Sequence, residues 1–307
     1  RWLLFLFAGK VVPFVIGRTE GANVVGVEPV RSGNVTYGHR FFCRTGEPGL
    51  ALCVKSFADY KKTLADGYVL IDRDERRDRI ASKLKKCAEK VDGNIAPLGQ
   101  GSALLDEVPD LVEYPAVVTG SFPDEFLSLP DEVLSTTMIH HQHYFPVIDR
   151  NRQLKANFLA VTNTPRDNVA RIARNSERVL VARLRDARFF WEGDRAHRLD
   201  ERLDRLETLL FHKKLGSYRQ KSERVALLAS KIAGELLGQT DAAEHAQRAA
   251  LLSKTDLATD MVGEFPELQG IMGGIYARDQ GEPEEVWKAI YYHYLPIGIQ
   301  PDAPPIR

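Results

Sequence analysis

Cysteine is scarce in this chain of 307 residues: Cys43, Cys53 and Cys87 are odd in number and show no Cys-x-x-Cys spacing. That argues against a disulfide framework or a cysteine-based structural zinc site, and a reducing, cytoplasmic-type compartment is the expectation. Net charge is absent too, with 42 Lys+Arg against 42 Asp+Glu. No bulk attraction to nucleic acid or membrane follows, so any such partner must meet a local patch. Long apolar runs are missing: the opening "WLLFLFA" is far too short to span a bilayer and carries no basic leader or cleavage signal. Catalytic signatures are missing as well, with no Gly-x-x-x-x-Gly-Lys-Ser/Thr loop, no Gly-x-Ser-x-Gly elbow and no His-Glu-x-x-His. The glycine clusters "GQGS" at 99–102 and "GIMGG" at 270–274 read as turns rather than phosphate cradles.

What is present fits an ordinary globular protein of about two domains. The first residue is Arg1, directly before an apolar run, so a piece of a longer protein is the expectation. "WLLFLFA" reads as a strand buried on both faces that turns at Gly9-Lys10 into "VVPFVIG", and Gly-rich breaks to about residue 55 predict short strands and hairpins. In "DRDERRDRIASKLKKCAEKV", Ile80, Leu84, Cys87 and Val91 recur at helical spacing, which predicts a surface helix with one narrow buried stripe. Residues 94–135 suggest loops, a strand near 115–119 and a helix start at Asp131; "HYFPVID" and "LKANFLAVTN" around "RNRQ" predict an antiparallel hairpin. After Pro165 long helical patterns run to about residue 295, and "LPIGIQPDAPPIR" reads as a Pro-rich linker. The fold class is therefore α+β, with an α/β front half and a helical back half.

The clearest physical signal is "NVARIARNSERVLVARLRDARFFWE". At about 100° per residue, Arg171, Arg174, Arg178, Arg185 and Arg188 fall within a sector of roughly 100°. The opposite side carries Ile172, Val179, Leu180, Ala187, Phe190 and Trp191, so one face is expected to pack while the other presents guanidinium groups. Residues 166–224 hold 16 Lys/Arg and 10 Asp/Glu; charge is segregated although the total is neutral. Guanidinium forks suit phosphate oxygens, and a row of them would follow a nucleic-acid backbone without reading its sequence. A solvated face partly neutralised by Asp167, Glu177 and Glu192, or an acidic protein partner, are the competing readings.

The stretch "TTMIHHQHYFPVID" at 136–149 sets His140, His141 and His143 together. As a strand it would place His141 and His143 on one face and His140 on the other, so two at most could share a metal, with no obvious third ligand. A structural or surface histidine pair, and contact with RNA or a partner chain, remain the other readings.

Several stretches in the same order resemble the beta subunit of bacterial glycyl-tRNA synthetase: "YGHRF" at 37–41, "HQHYFPV" at 141–147, "RNSERVLVARLRDARFFWEGD" at 174–194, "LFHKKLGSYRQKSERV" at 210–225 and "LLSKTDLATDMVGEFPELQGIMGGIYAR" at 251–278. The resemblance implies part of a heterotetrameric class II ligase that joins glycine to tRNA(Gly), with ATP, Mg²⁺ and the adenylate chemistry in the separate alpha subunit. The beta subunit would bind and position tRNA; its extreme N-terminus and C-terminal anticodon-binding domain are expected to lie outside this chain. Residues 1–164 would be similar to the α/β module of the phenylalanyl-tRNA synthetase beta subunit, 165–296 to a helical HD-type domain, and 297–307 to a linker. The HD dyad position reads Thr255-Asp256, leaving His212, His245 and Asp260 as remnants and implying a scaffold without metal or catalytic residues. Candidate tRNA contacts are Arg171, Arg174, Arg178, Arg185, Arg188, Lys213, Lys214, His39 and Arg40. In the family pattern Gln142-x-Tyr144-Phe145-Pro146-Val147 the flanking histidines are incidental, which weakens the metal reading. The competing functions are an HD-type metal-dependent nucleotide or RNA phosphohydrolase, and an assembly module for the alpha subunit. No nucleophile or acid–base pair in the front half marks an editing site.

Overall fold

A computed structural model describes residues 2–17, 29–42, 48–96, 104–164 and 168–296. The "GQGS" turn, Cys43, Asp167 and the tail 297–307 fall outside the described residues. The class is α+β, as expected. Backbone contacts gather the chain into two units, Arg1–Ser121 with His143–Glu177, and Phe122–Gln142 with Arg178–Arg307.

The first unit begins with a hairpin in which Leu6 pairs Val11 and Phe7 pairs Lys10. Its two-residue turn is Ala8-Gly9, both at positive φ, the geometry that matches strand twist. A strand buried on both faces does not form. The run breaks into two-residue pieces, Leu3–Leu4 and Leu6–Phe7, and Phe7 is 77% exposed. Only Leu3 and Leu4 gain a parallel neighbour, at Ser32 and Gly33, so too few layers cover the apolar side chains.

The core of this unit is a four-stranded antiparallel sheet in the order Asn94–Ile95, Tyr144–Ile148, Leu154–Thr162, Ala116–Ser121. The expected hairpin is present, and Asp149 closes it by accepting hydrogen bonds from the N–H groups of Asn151 and Gln153. Gly120 faces Phe158 across the strands. A Cβ at Gly120 would sit 2.3 Å from the Phe158 ring, whose other neighbour is the stacked ring of Tyr144 at 4.7 Å. Glycine is needed there for the ring to lie flat.

Helix α1 spans Phe57–Asp66 and α2 spans Arg73–Glu89, each with a side-chain N-cap, Ser56 and Asp72. The stripe of α2 is Ile80, Leu84 and Ala88. Ala88 replaces the expected Cys87, which is half-buried, while Val91 lies beyond the helix end. Helix α3, Leu104–Leu111, forms where loops were expected and holds Pro109 within it. Arg76 ties it down by donating to the Pro109 carbonyl at 2.8 Å.

In the second unit α4, Asp131–Thr136, starts where expected and runs on as a π-helical turn over Thr137–His141. His140 and His141 are thus helical, and His143 takes positive φ before the strand begins at Tyr144. Strand alternation therefore does not govern these histidines. His141 stacks on Phe265 at 4.9 Å, and His140 and His143 are exposed.

Helix α5, Val169–Arg195, crosses from one unit to the other after Glu177. The second unit continues with α6 (Tyr218–Lys231), α7 (Thr240–Leu252), α8 (Asp260–Glu264), α9 (Ile271–Asp279) and α10 (Glu284–Tyr292). A capping box at Ser217 and Gln220 starts α6. The chain enters α9 through Gly270 at φ +82°, and a Cβ on Gly274 would stand 2.5 Å from that of Tyr291. The "GIMGG" glycines therefore turn the chain and let α9 lie against α10. No helix among the described residues is long and apolar enough to cross a membrane.

Candidate nucleic-acid interface

The buried stripe of α5 is Leu180, Leu184, Ala187, Trp191 and Asp194, at spacings of four, three, four and three. Trp191 stacks on Tyr276 at 5.3 Å. Val179, expected on the packed side, is 47% exposed, because the stripe that packs is narrower than the apolar sector.

On the far side Arg171, Arg174, Arg178 and Arg185 are all exposed, and none meets a carboxylate within ion-pairing distance among the described residues. Glu177, which could have neutralised them, is held elsewhere: its carboxylate accepts from the Ser121 backbone N–H at 2.9 Å. Arg188 differs from the other four. It is half-buried, 3.3 Å from Glu125, with its guanidinium 4.8 Å over the Phe126 ring. Arg171 and Arg174 in the first unit, and Arg178 and Arg185 in the second, are thus unpaired guanidinium groups among the described residues, each pair suited to phosphate oxygens.

The remaining basic candidates stand in other surroundings. Lys213 and Lys214 are exposed and line an open cleft of about 590 Å³ with Leu215, Gln220, Glu223 and Arg224. Arg40 is exposed at a second cleft of about 570 Å³ in the first unit, which Glu113 and Asn163 also line. His39 lines that cleft too but is fully buried: Nδ1 accepts from the Phe41 N–H at 3.1 Å and Phe42 packs edge-on at 4.8 Å.

The residues expected as HD remnants form no metal-ligand group among the described residues. His212 is exposed and its Nδ1 accepts from the Lys214 N–H; His245 is half-buried, 3.9 Å from Glu285. Asp260 is exposed, and Thr255 is buried with its hydroxyl donating to the Leu252 carbonyl. Asp256 is buried, and its Oδ2 accepts from the N–H groups of Gly270 and Gly273. The protein's own carboxylate thus fills the N-terminus of α9, where a phosphate could otherwise bind. Burial pushes this carboxyl up to about 6, against the pull of the two glycine N–H groups. Among the described residues no three His, Cys, Asp or Glu side chains are grouped to hold a metal ion.

Two polar clusters of the second unit escape sequence reasoning. Asp194 accepts from Arg202 at 2.9 Å, from the N–H groups of Asp260 and Met261, and from the Tyr276 hydroxyl. It sits on the apolar stripe of α5, and that position was its only signal. Lys254 and His293 form the second cluster. The Lys254 Nζ lies 2.6 Å from Nε2 of His293 and 3.7 Å from the centre of the Tyr294 ring. Because His293 Nδ1 must donate to the Ile290 carbonyl, Nε2 is the acceptor and the ammonium donates. Burial lowers Lys254 to about 8 and His293 to about 4.

A sequence profile described as glycyl-tRNA synthetase beta subunit matches residues 1–306. The glycine–tRNA ligase beta subunit of Trichlorobacter lovleyi is 41% identical over 304 residues, which are 99% of this chain and 41% of that protein. The Bacillus subtilis protein of the same name is 41% identical over 99% of this chain and 42% of its own length. That of Phenylobacterium zucineum is 42% identical over 100% of this chain and 43% of its own length. The chain thus spans about two fifths of the length of these relatives. Matched along almost its whole length, it belongs to the glycyl-tRNA synthetase beta subunit family.

Proposed function

We propose that this chain serves a glycine–tRNA ligase as part of its beta subunit, binding and positioning tRNA(Gly) and joining the alpha subunit in a cytoplasmic α2β2 heterotetramer. ATP, Mg²⁺ and adenylate formation belong to the alpha subunit in this reading. The observation that carries the RNA-binding part is the exposed arginines of α5, unpaired among the described residues: Arg171 and Arg174 in the first unit, Arg178 and Arg185 in the second. Each guanidinium that meets a phosphate releases condensed counterions, so binding should weaken steeply with salt. The front half and the HD-like back half act as scaffold; no observation favours phosphohydrolysis, which needs a metal-ligand group that the described residues do not form.

The test is fluorescence anisotropy of this chain with tRNA(Gly) across a salt series, comparing the parent with Arg174→Glu, Arg185→Glu. A folded double variant that binds more weakly with a shallower salt slope supports these arginines as the interface. Unchanged affinity and slope refute it.

A further inference from the structure

Phe189 is 72% exposed, although it stands within the last two turns of α5, beside the half-buried Phe190 and the buried Trp191. Helical geometry puts it within roughly 40° of Arg178 and Arg185 around the axis, and Arg185 is one turn away on the same face. Side chains four residues apart lie about 5–6 Å from one another at Cβ. The Phe190 ring meets it edge to face at 5.7 Å and 68°, a contact that steadies Phe189 at its edge. An isolated apolar ring in a row of unpaired guanidinium groups gains nothing from solvent, and nothing in the described residues covers it. An apolar protein patch would spread over several neighbours; here the exposed neighbours on the face are Arg178, Ala182, Arg185, Asp186 and, one turn further, Glu192. Two cations precede the ring, with Asp186 at the flank of the second, and Glu192 follows it. That order matches a nucleotide strand whose phosphates lie over Arg178 and Arg185 and whose next base reaches the ring.

We propose that Phe189 is a stacking platform for an unpaired nucleobase of the bound RNA, and that Arg178 and Arg185 hold the phosphates that precede that base. This rests on the reading of α5 as an RNA-binding helix and adds which kind of RNA it takes. Bases inside a duplex are stacked on each other and cannot reach a ring on a helix surface, so the site requires a single-stranded segment. Glu192 repels a further phosphate and marks where the strand must leave the helix. Phe189 has a positioning and affinity role and takes no part in bond-making.

The test compares Phe189→Leu, Phe189→Trp and the pair Arg178→Gln, Arg185→Gln in the whole chain, by anisotropy with a short single-stranded RNA, a blunt RNA duplex and tRNA. The Leu variant should bind the single strand and tRNA roughly ten-fold more weakly, with an unchanged salt slope and unchanged duplex binding. The Trp variant should bind at least as well as the parent, and the emission it adds to the parent signal should be quenched on addition of single strand. The Arg pair should flatten the salt slope for every RNA. Equal single-strand affinity in the Leu variant overturns the platform even when the Arg pair still flattens the slope, leaving the arginine reading intact. No effect from either substitution overturns both. Loss of association with the alpha subunit in the Leu variant, with RNA binding unchanged, would make Phe189 a protein contact and also overturn the proposal.

Discussion

Nε2 of His293 accepts a hydrogen bond from the ammonium group of Lys254 at 2.6 Å, and burial, with the Lys254 charge as a lesser cause, keeps the imidazole neutral well below its ordinary range. Asp256, two residues along from Lys254, is the buried carboxyl that opposes it in acid.

As pH falls from 6.5 to about 4, the unfolded chain protonates His293 before the folded one does, so stability is lost across that window. Asp256 acts in the other direction: with a folded value of about 6 against 3.8, stability is gained as pH falls through the same region. The two slopes offset each other in the parent chain. Asp256→Asn removes the gain, so the variant should lose stability on acidification more steeply, by up to about 1.4 kcal/mol per pH unit. Urea unfolding at several pH values between these limits measures the slopes, and parallel slopes in parent and variant would contradict the assignment.

The pair of Asp194 and Arg202 lies almost wholly inside the second unit, at 2% and 3% exposure. Arg202→Met leaves a buried carboxylate facing apolar surroundings and should cost about 3–5 kcal/mol in denaturant unfolding. Joint replacement with Asp194→Leu should recover part of that loss, though the N–H groups of Asp260 and Met261 would stay unsatisfied. A single variant within 1 kcal/mol of the parent would mean that the pair is not a stabilising element.

Two glycines predict opposite signs. Gly274→Ala would drive a methyl into Tyr291 of α10 and should cost about 1–3 kcal/mol. Gly263→Ala, in α8 with nothing within 4 Å of the added Cβ, should gain about 0.5–1 kcal/mol. Thermal unfolding of the two variants decides; equal effects would remove the close approach of α9 and α10 as the reason for Gly274.

Arg188 and Arg178 should separate in RNA binding. Arg178→Gln should reduce the magnitude of the salt slope by about 1, while Arg188→Gln, already paired with Glu125, should leave it almost unchanged and instead lower stability modestly. A larger slope change from Arg188 than from Arg178 would place the contact surface on another side of α5.

Much of this was legible in the residues, and where it was not the cause is physical. The α2 and α5 helices, the Tyr144–Thr162 hairpin and the α4 start could be read because each rests on local periodicity, caps or turn chemistry. Helix α3 could not, since Pro109 argues locally against it and the helix is held by Arg76 from 33 residues away. The histidine cluster misled because strand spacing was applied to residues that continue α4 as a π turn. Of the basic candidates, the pattern placed the five arginines of α5 on one side but could not distinguish Arg188, whose partner Glu125 comes from a distant part of the sequence.

The amino-acid order by itself determined the family, the α+β class and the cationic face of α5, because each depends on spacing along a single element or on matched stretches in order. Tertiary structure decided which of those arginines stay unpaired, which ring beside them stays uncovered, and that Asp256 closes the N-terminus of α9 with its own carboxylate. Pairing and burial are set by residues that folding brings from far along the chain, and no local pattern encodes their arrival.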